Sequence, residues 1–162
     1  KIQMLFNQAK INTDFRRTTV AAKECLKRTG HTSSAIELED GTIVTAHSSL
    51  LLGCSAALLL NVMKHLAGID HDTKLIPQSM IEPIQYTKVN YLGGHNPRLH
   101  TDEVLVALSV LSNVDDRCTK ALAQLPKLRG CQVHCTVMLS EVDQKIFKKL
   151  GVNLTCEPVL KK

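Results

Sequence analysis

Aromatic residues are scarce in this chain, making up 3% of its 162 residues, and tryptophan is absent. The core therefore has to be built mainly from leucine, valine, isoleucine and alanine. Proteins that bind single-stranded nucleic acids stack the bases on exposed aromatic rings. Because the chain has few such rings, and its net charge is only +5 with the basic residues scattered, we expect no nucleic-acid partner.

Sequence signatures of metal, nucleotide and membrane binding are also missing. None of the six cysteines forms a C-x-x-C pair, no H-E-x-x-H pattern occurs, and no Gly-rich phosphate loop is present. The longest apolar run is far shorter than a membrane span. We therefore expect no metal, no cofactor and no membrane contact. Since neither a disulfide framework nor a signal peptide is visible, the expected compartment is the cytoplasm.

The hydrophobic pattern predicts an α/β fold. Asp40–Gly41 lies between two short apolar runs, which is the strongest local signal for a β-hairpin. Near the end of the chain, a strand, an amphipathic helix and a strand follow one another, as in a parallel crossover. A mixed sheet flanked by helices on both faces accommodates both features. The predicted strands are 34–39, 42–46, 131–139 and 152–159.

Helix signals occupy most of the remaining sequence. Gly30, Gly68 and Gly151 are placed to end helices, and Ser140 is placed to begin one. We divide the chain into a helical extension over 1–32 and one α/β domain over 33–162, cut from a longer protein. The predicted helices are 1–11, 14–29, 50–67, 77–91, 101–113, 115–125 and 140–150.

The segment NPRLHTDEVL, residues 96–105, concentrates polar side chains just before an aliphatic run. Two interpretations stay open. With Thr101 as N-cap and acids in the first turn, it is an ordinary helix start. With the free N–H groups of that start, Arg98 and His100 also suit a phosphate or carboxylate. The candidate ligand-binding residues here are Asn96, Arg98, His100 and Thr101, and the candidate catalytic residues are His100 and Glu103.

Three further polar residues stand in apolar surroundings. Ser55 follows Gly53 at a helix start, where either an anion site or close helix packing is expected. Lys64 interrupts an apolar helix, so it lines a pocket or marks the exposed side. His134 lies in a predicted strand as either a satisfied core histidine or a proton-transfer residue. Ser55 and Lys64 are thus further ligand-binding candidates, and His134 is a further catalytic candidate.

Five segments carry a resemblance to a known family. The chain resembles the C-terminal part of uncharacterised protein family 0371, also called domain of unknown function 1846. The resemblance implies a cytoplasmic bacterial protein considerably longer than this chain, with a cytidine-deaminase-like topology here and a missing N-terminal region that carries a phosphate-loop-like stretch. The segments are AIELEDGTIVTA, LLGCSAALLLNVMKHLAGI, NPRLHTDEVLVALS, LPKLRGCQVHCTVMLSEVD and FKKLGVNLTCEPV.

Deaminase chemistry does not follow from that topology. A zinc deaminase needs a His or Cys followed by x-Glu at one helix start and P-C-x-x-C at another. Here the corresponding helix starts read GCSAA and HTDEV, and neither supplies the zinc ligands. The resemblance therefore implies a fold and a longer protein, without zinc deaminase chemistry.

Two functional hypotheses follow. In the first, the chain is a non-enzymatic module that packs against the missing N-terminal region, or against copies of itself, and helps to form a composite small-molecule site. In the second, it is half of an enzyme site for an anionic small molecule. Arg98, His100, Thr101 and Lys64 would then bind the ligand, and His134 or Glu103 would transfer the proton.

Overall fold

A four-stranded mixed sheet forms the centre of the protein. The structure, a computed structural model, describes residues 16–158. The predicted helix at 1–11 lies outside the described residues. In chain order the elements are α1 (Arg17–Thr29), β1 (Ser33–Glu37), β2 (Ile43–His47), α2 (Cys54–Ala67), α3 (Gln78–Tyr86), α4 (Thr101–Leu111), α5 (Asp116–Leu122), β3 (Gln132–Cys135), α6 (Glu141–Leu150) and β4 (Asn153–Cys156).

The strands lie in the order β2-β1-β3-β4. β1 pairs antiparallel with β2, and the predicted hairpin is confirmed, with Gly41 at φ 87° in its turn. β1 also pairs antiparallel with β3, opposing Ser34 to Cys135. β3 and β4 are parallel, as the strand–helix–strand pattern predicts, with α6 as their connection.

Helices cover both faces of the sheet. Successive residues of a strand point to opposite faces. Ile36 and Val133 belong to the main core, together with Leu58 of α2, Leu108 of α4 and Phe147 of α6. On the other face, α1 packs across β1, β2 and β3. This face of the sheet is more polar, because it carries the side chains of residues 134 and 155.

Several element boundaries differ from the prediction. The helix expected over 50–67 begins at Cys54, and the strand expected over 152–159 is β4 alone. Two further differences have a clear local cause. The strand expected over 131–139 is β3 alone, because beyond it Thr136 pairs with Ser33, the first residue of β1, and the sheet offers no further partner. The helix expected over 77–91 is α3 followed by a π-helical turn, Thr87–Tyr91. Pro83 lies inside α3 and has no N–H to donate, which weakens the regular hydrogen-bond ladder.

Helix ends follow the local signals closely. α1, α2 and α6 each end at a glycine in the left-handed region: Gly30, Gly68 and Gly151 have φ values of 75°, 71° and 81°. The Ser140 side chain accepts a hydrogen bond from the Asp143 amide and caps α6. The Ser140 cap fixes where α6 begins. The first turn of α6 contains Asp143, around which the candidate site is built.

Candidate functional site

Two helix starts lie side by side above the sheet. The segments that lead into α2 and α4 run parallel, joined by a bridge between Leu52 and Leu99. The Leu99 amide donates to the Leu51 carbonyl at 3.0 Å, and the Gly53 amide donates to the Leu99 carbonyl at 3.3 Å. The N-termini of α2 and α4, with their free N–H groups, are therefore held next to each other.

Asp143, in the first turn of α6, joins these two helix starts. One carboxylate oxygen, Oδ1, accepts hydrogen bonds from the Thr101 amide at 3.0 Å and the Thr101 hydroxyl at 2.6 Å. The other, Oδ2, accepts from the Ser55 hydroxyl at 2.8 Å, and His100 Nδ1 lies 3.5 Å away. We call Ser55, His100, Thr101 and Asp143 the Asp143 junction. It brings three of the residues predicted from sequence together.

The charge of Asp143 is stabilised although its side chain is 5% exposed. Burial by itself would raise the pKa of this carboxyl group. The hydrogen-bond donors from His100, Thr101 and Ser55 outweigh that effect and lower the pKa from 3.8 to about 2. The group is therefore an anion at neutral pH, held by hydrogen bonds from two helix starts.

The helix start in NPRLHTDEVL differs from the one predicted. His100 is the N-cap residue of α4, and Thr101 is its first helical residue, so the prediction of Thr101 as N-cap is wrong. The reason is long-range, because the Thr101 hydroxyl donates to Asp143 and does not cap its own helix. Glu103 Oε1 instead accepts from the His100 amide at 2.8 Å, which fixes the first turn.

The sequence predicts that an anion could bind at this helix start. In the structure the carboxylate of Asp143, from the same chain, places a negative charge there. Its carboxylate accepts from the Thr101 amide, one of the donors that an external phosphate would use. A ligand-binding role for Ser55, His100 and Thr101 stays a prediction. His100, whose side chain is 29% exposed, is the member of the junction that solvent reaches most readily.

The rest of NPRLHTDEVL is tied to neighbouring segments. The Asn96 side chain accepts from the Arg98 amide at 3.1 Å, and Arg98 Nε donates to the Ser49 carbonyl at 2.5 Å. Lys88 Nζ lies 2.7 Å from both the Arg98 carbonyl and Glu103 Oε1. Asn96 and Glu103 therefore order the loop, and their predicted ligand-binding and catalytic roles remain untested predictions.

Lys64 lies elsewhere, in a groove of about 820 Å3 beside β2. Its Nζ donates to the His71 carbonyl at 2.8 Å and the Thr73 carbonyl at 3.2 Å. Burial lowers the pKa of Lys64, and the neighbouring Lys74 lowers it further. The structure thus places Lys64 in a pocket wall, one of the two predicted alternatives, but away from the Asp143 junction.

His134 lies on the opposite face of the sheet, under α1. Its Nδ1 is 2.7 Å from the Thr155 hydroxyl, and its Nε2 is 2.7 Å from Glu157 Oε2. The guanidinium group of Arg16 also contacts Thr155, because its Nη1 donates to Thr155 Oγ1 at 3.1 Å. Nζ of Lys23, in α1, lies 3.8 Å from Glu157 Oε1. This buried histidine has a partner at each ring nitrogen, so its geometry favours the structural interpretation over proton transfer.

Sequence reasoning missed Asp143 and Lys88, which organise the two helix starts. Asp143 belongs to an amphipathic, charge-rich helix, where an acid in the first turn is ordinary. One signal existed: position 143 is N3 relative to the cap Ser140, facing inward with Phe147 at i+4. Within residues 16–158, no group of three His, Cys, Asp or Glu side chains is arranged to hold a metal ion.

Comparisons with known proteins show that this sequence is similar to bacterial proteins. The family described as "Domain of unknown function DUF1846, C-terminal" matches residues 14–162. A UPF0371 protein of Corynebacterium urealyticum is 51% identical over 98% of this chain, and one of Streptococcus pyogenes is 43% identical over 98%. In both cases the match covers 32% of the relative. The chain therefore spans about a third of the length of these relatives.

Proposed function

Because this chain belongs to the DUF1846 family, as a C-terminal domain of it, we propose that it is a packing and assembly module that supplies one side of a composite small-molecule site. The matched relatives carry about two-thirds of their length outside the corresponding region. That larger, N-terminal region is the partner proposed here. Self-association into a homo-oligomer is proposed as a further property of the complete protein.

The observation that carries the proposal is an apolar stripe on the outer side of α4. Val106 and Val110 are 64% and 58% exposed, and Val114, in the turn that follows, is 85% exposed. These positions are four residues apart and therefore share one side of the helix. Exposed apolar residues that form a continuous row mark interaction surfaces, whereas scattered ones are ordinary. We call Val106, Val110 and Val114 the valine stripe.

The same helix connects the stripe with the Asp143 junction. Thr101 begins α4 in the junction, and Val106 follows about one and a half turns later. A partner that covers the stripe would extend along α4 toward His100, the partly exposed side chain of the junction. Packing and site formation would thus be two consequences of one contact.

The finer structural expectations are part of this proposal. The parallel approach of the segments before α2 and α4 supports a cytidine-deaminase-like topology, in which two helix starts meet at the site. The packing of α1 on the sheet supports a helical extension, predicted over 1–32, that is attached to the α/β domain over 33–162. No described helix is long and apolar enough to cross a membrane; a cytoplasmic location is part of the proposal.

The test uses the full-length protein that contains this chain. Val106→Asp combined with Val110→Asp places two charges in the stripe. Val142→Asp is the matched control, because Val142 is a similarly exposed valine, 44% accessible, on a different helix, α6. All proteins are compared by circular dichroism, by light scattering after size exclusion, and by limited proteolysis between the two regions.

We expect the double variant to keep its helix content and to be cleaved faster between the two regions, because the N-terminal region no longer packs on the stripe. The control should behave as the wild type does. Cleavage rates and masses that are the same in all three proteins would refute the proposal. A lower mass without faster cleavage would assign the stripe to contact between copies and refute the N-terminal region as its partner.

A specific observation supports a modified form of the second hypothesis, an enzyme half-site for an anionic small molecule, in which Lys64 is the one residue shared with the predicted ligand-binding set. The groove that contains Lys64 is also lined by Arg28 and Lys74, and Asp72 is the acidic residue among its lining residues. A groove with an excess of cationic groups attracts phosphates and carboxylates. In this alternative the ligand would lie along the open edge of β2, and the catalytic groups would come from the N-terminal region.

A further inference from the structure

Three of the six cysteines meet at one end of the sheet. Cys135 ends β3 and Cys156 ends β4, and the two residues are register partners in the parallel pair. Cys54 is the first residue of α2, and its carbonyl accepts a hydrogen bond at 2.9 Å from Ser34, the residue that pairs with Cys135 from the other side. We call Cys54, Cys135 and Cys156 the thiol cluster.

The members of the cluster differ in their access to solvent. Cys54 and Cys135 are buried in the main core, whereas Cys156 is partly exposed at its edge. A small oxidant in solvent therefore meets Cys156 first. A bulky substrate has no comparable route to the two buried thiols, so the ligand class that fits the cluster is a small hydroperoxide.

The chemical states of the paired thiols also differ. A hydrogen bond with Cys135 lowers the pKa of Cys156, and a backbone hydrogen bond from Leu139 adds to this against the effect of burial, giving about 7. The same thiol contact, a second one with Cys54 and burial raise the pKa of Cys135 well above its usual value. Cys156 is therefore the more acidic thiol of the pair, and its thiolate is substantially populated at neutral pH.

A disulfide between register partners needs little backbone movement. Neighbouring strands lie about 4.8 Å apart, and a disulfide joins Cα atoms separated by about 4.4–6.8 Å. Cys135 and Cys156 are on the same face because they form one row of the sheet. The backbone arrangement thus already lies within the range that a disulfide accepts.

We propose that Cys156 and Cys135 form a peroxide-reactive thiol pair that closes reversibly to a disulfide. In the first step the Cys156 thiolate attacks hydrogen peroxide. An S–O bond forms, the O–O bond breaks, and the leaving hydroxide takes a proton from solvent to give water. In the second step Cys135 loses its proton and displaces the sulfenic hydroxyl group as water, forming the S–S bond. Two thiols are oxidised, and hydrogen peroxide is reduced to two water molecules.

The remaining cysteines serve as internal controls. Cys25, Cys118 and Cys131 are buried, and each donates to a backbone carbonyl: that of Ala46, Leu75 and Lys127, respectively. Burial raises the pKa of Cys118 and of Cys131. None of these three is a register partner of another cysteine in the sheet.

The experiment treats the reduced protein with one equivalent of hydrogen peroxide. Free thiols are then blocked with N-ethylmaleimide, and tryptic peptides are mapped by mass spectrometry. Cys131→Ser is used as the background, because Cys131 and Cys135 fall on one tryptic peptide, residues 130–145. Cys156→Ser, Cys135→Ser and the control Cys118→Ser are compared after circular dichroism has shown that each is folded.

We expect a disulfide between the peptides of Cys135 and Cys156, which dithiothreitol reverses, and oxidation of Cys156 at least about tenfold faster than of Cys118. Cys156→Ser should abolish the disulfide, and Cys118→Ser should leave it unchanged. Cys135→Ser should stop at a sulfenic acid on Cys156 that dimedone traps. If Cys135→Ser does not fold, the peptide map of the background protein decides alone. A disulfide to Cys54, or equal oxidation of all cysteines, would overturn the assignment.

Discussion

Asp143→Asn is the substitution that tests the Asp143 junction most directly. Asparagine keeps the shape of the side chain but removes its charge and replaces one acceptor oxygen by an N–H2 donor. The surrounding groups in the structure are donors: the Ser55 hydroxyl, the Thr101 amide and hydroxyl, and His100 Nδ1 at 3.5 Å. The Thr101 amide can only donate, so the asparagine oxygen must stay on Thr101. Its NH2 group then faces Ser55 Oγ and His100 Nδ1, which have to accept instead of donate in a site that is almost closed to water.

The magnitude follows from the pKa of Asp143. A decrease from 3.8 to about 2 corresponds to about 2 kcal/mol of stability, since one pKa unit is worth about 1.4 kcal/mol. The reversal of the hydrogen bonds with Ser55 and His100 in this buried site adds a further cost of about 1 kcal/mol. At pH 7 the variant should therefore unfold with a free energy about 3 kcal/mol lower than that of the wild type.

The pH dependence separates these two contributions. Because the folded pKa of Asp143 lies below the unfolded value of 3.8, its charge stabilises the fold fully above that pH. The stabilisation disappears as the pH falls through about 2, where the folded carboxyl group takes up its proton. The variant has no such group. The difference between the two proteins should therefore shrink from about 3 kcal/mol at pH 7 to about 1 kcal/mol near pH 2.

Urea unfolding followed by circular dichroism at several pH values between 7 and 2.5 measures this difference, and the contributions of all other carboxyl groups cancel in it. Asp115→Asn is the matched control. Asp115 caps α5 and is paired with Arg117 at the surface, and asparagine caps a helix as well as aspartate does. We expect a smaller loss for the control, with a smaller change with pH, because Asp115 is a surface carboxylate whose pKa is lowered by its hydrogen bonds with Arg117. A loss for Asp143→Asn that does not change with pH would show that its charge does not hold the junction.

The remaining predictions concern a helix end and the groove. Gly151→Ala should lower the melting temperature more than Gly30→Ala. Both glycines have positive φ, but of the two only Gly151 would bring its new Cβ against a side chain, 2.9 Å from Arg129 Nη1. Equal decreases in melting temperature would show that backbone strain alone acts. Arg28→Ala should reduce any thermal stabilisation by inorganic phosphate, whereas Lys27→Ala, one residue along α1 and outside the groove lining, should not. Equal effects of the two would speak against an anion site in the groove.

The parts of the fold that were predictable from sequence rest on local signals. Asp40–Gly41 predicts the hairpin because a tight turn needs a residue that accepts positive φ, and Gly41 has it. Gly30, Gly68 and Gly151 mark helix ends for the same reason. The parallel pairing of β3 with β4 follows from an intervening helix, which a tight antiparallel turn does not contain.

The candidate site depends on long-range contacts, which explains why it was only partly predictable. Ser55 and Asp143 are 88 residues apart in the sequence, and Thr101 and Asp143 are 42 apart. The local signal for an inward Asp143, its i, i+4 spacing to Phe147, does not show which groups the carboxylate meets. The sequence identifies NPRLHTDEVL as a polar helix start. The negative charge that accepts hydrogen bonds from Thr101 of this start belongs to Asp143 of α6. The thiol cluster also combines distant parts of the chain, because its cysteines belong to α2, β3 and β4.

The buried charge of Asp143 fixes position as well as contributing to stability. A buried carboxylate loses its hydration, and hydrogen bonds return that free energy only when every donor is correctly placed. Asp143 therefore favours one arrangement of the α2 and α4 starts over the alternatives that an aliphatic contact would tolerate. Since α4 carries the valine stripe, fixing its start also fixes the orientation of that stripe. The stripe can then meet a partner without first being ordered, which lowers the entropic cost of assembly.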